Sequence, residues 1–412
     1  MTNRRSEVRT SSEATAPIYQ RGSRAVPDGT ARAGDVWVLA GQSNMQGCAE
    51  PGPQQTAHPE VSMLSFDRTW KPAVEPVHRF WETKESAQYK MSPYLGYEIS
   101  KEELDKQFEE VHPQDELSPV GGWGPGYAFG LEMRRLTGVP IGLLPVALGG
   151  SPLDMWAKDF GERKGERFED TLYGDLLERV EIAGGGVRGV LWYQGESDAH
   201  GDLAPTYIER FERFVNDLRQ DVGDPDLPFI TVQLATSDNM DWAGADNWNL
   251  MRENQRQASE KLHNVEMIAA ADLPRIDGIH LSFAAYERLG PRLARAASKY
   301  VPETSGRYRV SRLGSLELVE SGSALRIRFD GVNGALHSAA GLDLSKSFQV
   351  EGVDVLGAEL DQPDGVVLRL SSSVSAGANV WHGRGFEPQV GLLDEADFLM
   401  PLFGPVPAPA LD

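Results

Sequence analysis

A serine in a glycine-rich turn, and an aspartate three residues ahead of a histidine, carry the most chemistry in this sequence. Ser43 stands in GQSNMQG (residues 41–47), and Asp277 and His280 stand in DGIH (residues 277–280). A serine hydroxyl is a weak nucleophile until a neighbouring base takes its proton. His280 is the natural base, and Asp277 can bond its other ring nitrogen, fixing the tautomer and stabilising the imidazolium. Attack on an ester creates an oxyanion that needs donors aimed at it, and losing one donor typically costs ~100–1000-fold in rate. The backbone N–H of Ser43 can serve. So can the N–H of Gly149 in LGGSPLDMW (residues 148–156), where no side chain blocks approach, and the side-chain amide of Gln194 in QGESD (residues 194–198).

Each of these residues also has a plainer use. Ser43 could cap a helix, Gly149 and Gly150 could form an ordinary turn, Gln194 could be a satisfied core amide, and Asp277 with His280 could start a helix. Four polar motifs placed alike favour the chemical reading. Gln42, Glu196, Trp123 and Trp156 are the candidates for substrate contact, the tryptophans as sugar platforms, with Glu196 also suited to orienting the Ser43 or His280 loop. The lone cysteine, Cys48, lies five residues after Ser43, and a small buried thiol is expected there rather than a nucleophile. Asp198, His200 and Asp202 have the spacing of a metal cluster, but a polar loop ahead of a helix produces it equally well. No metal and no cofactor are expected.

The motifs act together only if the fold gathers them. Each follows an apolar run, at residues 35–40, 139–148, 187–193 and 265–273, with a further run at 227–235. Nearly continuous apolar runs of this length suit strands covered on both faces. Helical patterns lie at 126–136, 203–222, 248–262 and 283–300. In the second of these Tyr207, Ile208, Phe211, Phe214, Val215 and Leu218 recur at spacings of three and four. Alternating strands and helices predict the α/β class, a parallel sheet in an α/β/α sandwich. Ligands bind such sheets beyond the carboxyl ends of the strands, so the motifs should meet in one crevice.

The pattern divides the chain into a polar arm (1–32), a catalytic unit (33–303) and a C-terminal unit (304–412). The last contains only short alternating or β-branched runs such as SLELVE, ALRIRFD and VVLRLSS, the signature of a small β-sandwich. Residues 60–120, rich in proline, aromatics and charge, read as an insertion that walls the site or merely elaborates the surface. Lys and Arg number 40 against 61 Asp and Glu, a formal net charge of −21. Such a field repels phosphate backbones and anionic membranes, so neither nucleic acid nor a membrane is an expected partner. No apolar run approaches the ~18–20 residues of a membrane span. The first 30 residues lack the apolar stretch of a secretory signal, and the single cysteine permits no internal disulfide, which together predict a cytoplasmic protein.

The order GQSN, GGS, QGE and then D-x-x-H resembles the SGNH-hydrolase superfamily, in particular its branch of sialate O-acetylesterases and acetyl-xylan esterases. WNLMRENQ (residues 248–255) and the approach GPGYAFGLEMRRLTGVPIGLLPVALGGSP resemble the same branch, so the likeness spans residues 34–300. It implies an SGNH-type three-layer fold with Ser43 as nucleophile, Asp277 and His280 completing the triad, and Ser43, Gly149 and Gln194 lining the oxyanion hole. Gln194 stands where most SGNH enzymes carry Asn. The expected activity is hydrolysis of O-acetyl groups from a carbohydrate through an acetyl-serine. The alternatives are a broad short-chain acyl esterase or lipase, and a catalytically silent sugar-binding protein.

Overall fold

The computed structural model describes residues 34–83, 85–95, 122–238, 243–374 and 377–410. The expected arm at 1–32 and the stretch 96–120 of the expected insertion lie outside the described residues. The strands of the main sheet are β1 (Asp35–Gly41), β2 (Val61–Leu64), β3 (Trp70–Pro72), β4 (Ile141–Pro145), β5 (Gly189–Tyr193), β6 (Phe229–Gln233) and β7 (Val265–Ala269). Their order is β3-β2-β4-β1-β5-β6-β7, parallel throughout except for β3, which runs antiparallel to β2. Every residue of the six parallel strands is buried, as strands covered on both faces must be.

All five apolar runs contain strands; the first extends by one residue to Gly41, and the other four are trimmed at one end or both. The 60–120 reading needs correcting, because β2 and β3 make residues 61–72 part of the sheet. At four and three residues they are too short for periodicity to show, although β2 is wholly buried beside β4. The helices Gly126–Thr137 and Phe283–Ala297 pack on each other, while Leu172–Ile182, Tyr207–Val222 and Ala245–Lys261 pack in series. In Tyr207–Val222 the expected apolar face is the buried one: Tyr207, Phe211, Phe214, Val215 and Leu218 all turn inward.

After Tyr300 the sheets are antiparallel. One has four strands, ordered Val355–Asp361, Gly365–Leu370, Ala324–Asp330, Arg312–Val319; another has three, ordered Phe348–Val350, Asn379–His382, Phe403–Pro407. They enclose a core of their own that includes Leu325, Ile327, Val366, Leu368 and Phe403. The chain then returns to the main sheet. A bridge from Ala269 to Leu399, itself bridged to Leu393, ties the last residue of β7 to the returning chain. Gln233 bonds Leu402 through both its amide groups, at 2.7 and 3.0 Å. The fully buried Arg252 donates to the carbonyls of Leu234 (3.1 Å), Ala235 (2.7 Å) and Gly385 (2.6 Å).

Arg252 thus joins the β6 exit to the returning chain, and its loss strands buried carbonyls from both. Arg252→Ala is expected to lower unfolding free energy by roughly 3 kcal/mol. Urea denaturation checks this; a change under about 1 kcal/mol would contradict it.

Candidate active site

The turn that carries Ser43 begins where β1 ends. Gly41 has φ of 127°, and a Cβ there would lie 2.2 Å from the Tyr193 carbonyl oxygen, so only glycine fits between β1 and β5. Gln42 then bonds the Tyr193 carbonyl through its N–H, at 2.9 Å. Its side-chain oxygen accepts the N–H groups of Gly195 (3.3 Å) and Ser197 (3.2 Å) in the β5 exit loop. Ser43 opens the one-turn helix Ser43–Gln46, whose first N–H groups, those of Ser43 and Asn44, have no intrahelical acceptor. The 148–151 loop after β4 lies against it, since a Cβ on Gly149 would sit 3.5 Å from the Ser43 Cβ.

The Asp277–His280 pair arrives from the far side. After β7 the chain forms a small hairpin, closed by an Arg275–Leu281 bridge and the bond from Ile276 N to His280 O at 2.9 Å. Asp277 sits at its tip and does two jobs. Its Oδ1 accepts the N–H groups of Ile279 (2.8 Å) and His280 (2.7 Å), and its Oδ2 meets His280 Nδ1 at 2.8 Å. One carboxylate oxygen shapes the turn and the other fixes the imidazole. Burial works to raise the Asp277 carboxyl, but the His280 N–H, the imidazole and the Ile279 N–H outweigh it and hold it below the usual carboxylate value.

Asn44, next to Ser43, joins the two loops. Its Nδ2 donates to Glu196 Oε1 (2.8 Å) and to the Ile279 carbonyl (3.2 Å). Its Oδ1 accepts from Leu281 N (3.0 Å) and from the Tyr286 hydroxyl (2.8 Å). The residues on either side of His280 are therefore tied to the residue beside Ser43. Burial raises the Glu196 carboxyl above its ordinary value, with the Asn44 bond opposing.

The Ser43 turn, a carboxylate-fixed imidazole and a glycine loop thus converge at the carboxyl ends of β1, β4, β5 and β7. The family model described as "Carbohydrate esterase, sialic acid-specific acetylesterase" matches residues 33–299. The chain belongs to this family of carbohydrate esterases. A probable carbohydrate esterase of Arabidopsis thaliana is 30% identical over 270 residues, covering 63% of this chain and 89% of that protein. Among solved structures, a carbohydrate acetylesterase from Xanthomonas citri aligns with a TM-score of 0.64 at 24% identity, over 90% of this chain and 80% of the other. It shares the fold. Membership makes the chain a hydrolase of carboxylic esters of the SGNH, sialate O-acetylesterase-like branch, with carbohydrate esterase activity. Among the described residues no helix is long and apolar enough to cross a membrane.

Within this carbohydrate-esterase site, several expected residues hold the frame. The Gly149 N–H donates to Gln46 Oε1 at 2.7 Å. Both amide protons of Gln194 are engaged, by Asp198 Oδ2 at 2.6 Å and the Ser151 carbonyl at 3.3 Å, so this amide offers no free donor to an oxyanion. Gln42 and Glu196, expected as substrate contacts, turn inward to bond the neighbouring loops. Trp156 is fully buried against Trp192, with its indole N–H on Ser151 Oγ at 3.0 Å, and is a core residue rather than a sugar platform. Trp123 is partly buried, packed against the main core and edge-on to Phe283. Asp198 is committed to Arg210 (2.6 Å) and the Leu153 N–H (2.7 Å) besides Gln194; no group of three or more metal-type side chains converges among the described residues.

Cys48 departs from expectation as well. It is partly exposed, bonds the Ser43 carbonyl at 3.6 Å, and lies beside His280. Burial disfavours the imidazolium, but the Cys48 sulfur and then Asp277 outweigh it and push His280 up to about 9. A general base works unprotonated, so kcat/KM of the parent should rise with pH towards about 9. Removing the sulfur in Cys48→Ala should lower that pKa and so move the rising limb to lower pH. A pH–rate profile checks this, and an unmoved limb would contradict it.

Proposed function

We propose that the chain is a serine esterase that removes O-acetyl groups from a carbohydrate, an acetylated xylo-oligosaccharide or a sialate-like sugar, through an acetyl-Ser43 intermediate. The observation that carries this reading is the Asp277–His280 pair, bonded at 2.8 Å and bound through Asn44 to the turn that holds Ser43. His280 takes the Ser43 proton as Oγ bonds the acetyl carbon and the carbonyl electron pair moves to oxygen. The Ser43 and Asn44 N–H groups receive the oxyanion, joined by Gly149 once Gln46 releases it. Collapse expels the sugar oxygen, which takes the proton from His280. Water, deprotonated by the same imidazole, then frees acetate and restores Ser43. Gln194 contributes by holding the Ser151 turn. The catalytic unit spans 33–303, and the sandwich-like unit at 304–412 serves as a buttress: Glu387 pairs with Arg275 of the base hairpin, and the Phe386 carbonyl accepts the Ser237 N–H at 3.1 Å.

The test is acetate release from 4-nitrophenyl acetate and from a panel of acetylated oligosaccharides, comparing the parent with Ser43→Ala. The reading requires a loss of at least ~1000-fold in the folded variant; equal rates would remove Ser43 as nucleophile. The sugar part is tested separately at Trp123. If its partly exposed ring stacks on a sugar, Trp123→Ala should raise KM about tenfold for the oligosaccharides, corresponding to about 1.4 kcal/mol, and leave 4-nitrophenyl acetate unchanged. An equal change on both substrates would point to a short-chain esterase with no sugar platform.

A further inference from the structure

We infer that Asn44 is a positioning residue, the side chain that sets the His280 loop in register with the nucleophile, and that Glu196 locks its amide in the working orientation. This inference rests on the serine-esterase reading. A carboxamide offers two N–H donors and a carbonyl oxygen with two lone pairs. Asn44 uses all of them, on Glu196, Ile279, Leu281 and Tyr286, while its residue is only 1% exposed. The orientation is determined, because a flipped amide would set its NH2 group against the Leu281 N–H and its oxygen against the Ile279 carbonyl. Glu196 is the partner without which a flip would become cheaper. It is fully buried, bonds Asn44 through Oε1, and leaves Oε2 without a partner. A buried carboxyl with one oxygen unmatched is costly for the fold, and the residue it addresses stands next to Ser43.

The contacts fall on either side of the base. Ile279 gives its carbonyl and Leu281 its N–H, so one side chain fixes the backbone both before and after His280. Asn44 and Ile279 lie 235 residues apart in the chain. Through Asn44, the route from Ser43 to the base is one peptide unit and one amide. A misplacement of about 1 Å between reacting groups can cost ~100-fold in rate, and this linkage is the shortest guard against it.

The experiment compares the parent with Asn44→Ala, Asn44→Asp, Glu196→Gln and the double variant Asn44→Asp/Glu196→Gln, using 4-nitrophenyl acetate. In Asn44→Ala kcat should fall ~100-fold with KM within about threefold, because the defect lies in alignment. Asn44→Asp places a carboxylate oxygen against the Ile279 carbonyl and Glu196 and should fall comparably. In the double variant the amide introduced at position 196 donates to the carboxylate introduced at position 44, the polarity of the pair reversed, and at least a tenfold recovery over Asn44→Asp is expected. A kcat of Asn44→Ala within about threefold of the parent, or a double variant no faster than Asn44→Asp, would overturn the inference. The aspartate pair decides the matter should Asn44→Ala not fold. A readout independent of hydrolysis separates this inference from the reading beneath it. His280 titration followed by NMR should shift to lower pH in Asn44→Ala as the ring leaves Cys48. An unmoved midpoint overturns the inference whether or not Ser43 proves to be the nucleophile, whereas equal hydrolysis by parent and Ser43→Ala overturns the serine mechanism alone.

Discussion

The Ser43 turn after β1 and the His280 hairpin after β7 are brought together across β5 and β6. Three strand spacings at about 4.8 Å amount to roughly 14 Å, and the rest of the site is arranged around closing that gap. The hairpin at 275–281 covers the distance, and Asn44 receives it. Because the linking bonds are buried, they are exposed to little competition from water, and breaking one leaves its partners unsatisfied. The same constraint accounts for the bracing behind the hairpin. Asp238 N and Ser237 Oγ both bond the Gly278 carbonyl, at 2.8 and 3.2 Å, and Arg275 reaches Asp238 and Glu387.

The motifs hold each other more than they hold any one reacting atom. Gln42 links the β1 exit to the β5 exit, and Asp198 links the β5 exit to the 151–153 turn through Leu153 and Gln194. Gly195, with φ of 146°, lets the β5 exit pass close to Gln255, whose amide in turn bonds the Gln194 carbonyl at 3.0 Å. A framework so fully bonded commits most of its polar groups. Among the described residues, those left to face substrate include the Ser43 hydroxyl, the first N–H groups of its helix and the imidazole. Preorganisation of this kind costs nothing at the moment of reaction.

Much of this was legible in the sequence because burial writes itself as apolar runs. β1, β4, β5, β6 and β7 each arise from such a run, and the motifs follow them in the same order. β2 and β3 escaped because strands of four and three residues carry no period. The Asp277–His280 pair was readable from residue type and spacing. The direction of a side chain was not, since Trp156 and Trp123 look alike in one dimension, yet one is fully buried and the other only partly so. A signal for Trp156 did exist, for Leu153 and Met155 beside it are apolar and buried. Asn44 was visible as a letter of GQSNMQG, but its role depends on partners 152 to 242 residues away, which no local pattern encodes. Cys48 was misjudged for the same reason, its neighbour His280 arriving from the other end of the domain.

The mechanism stands or falls on Ser43 Oγ carrying the acyl group. Its most direct test is an acid-quenched reaction of the parent with 4-nitrophenyl acetate, followed by peptide mass spectrometry with fragmentation fine enough to separate Ser43 from Cys48. One acetyl group is expected on Ser43, formed within the first turnover and absent from His280→Ala. An acetyl group on Cys48, or steady turnover with no acetyl-enzyme at any time, would contradict it.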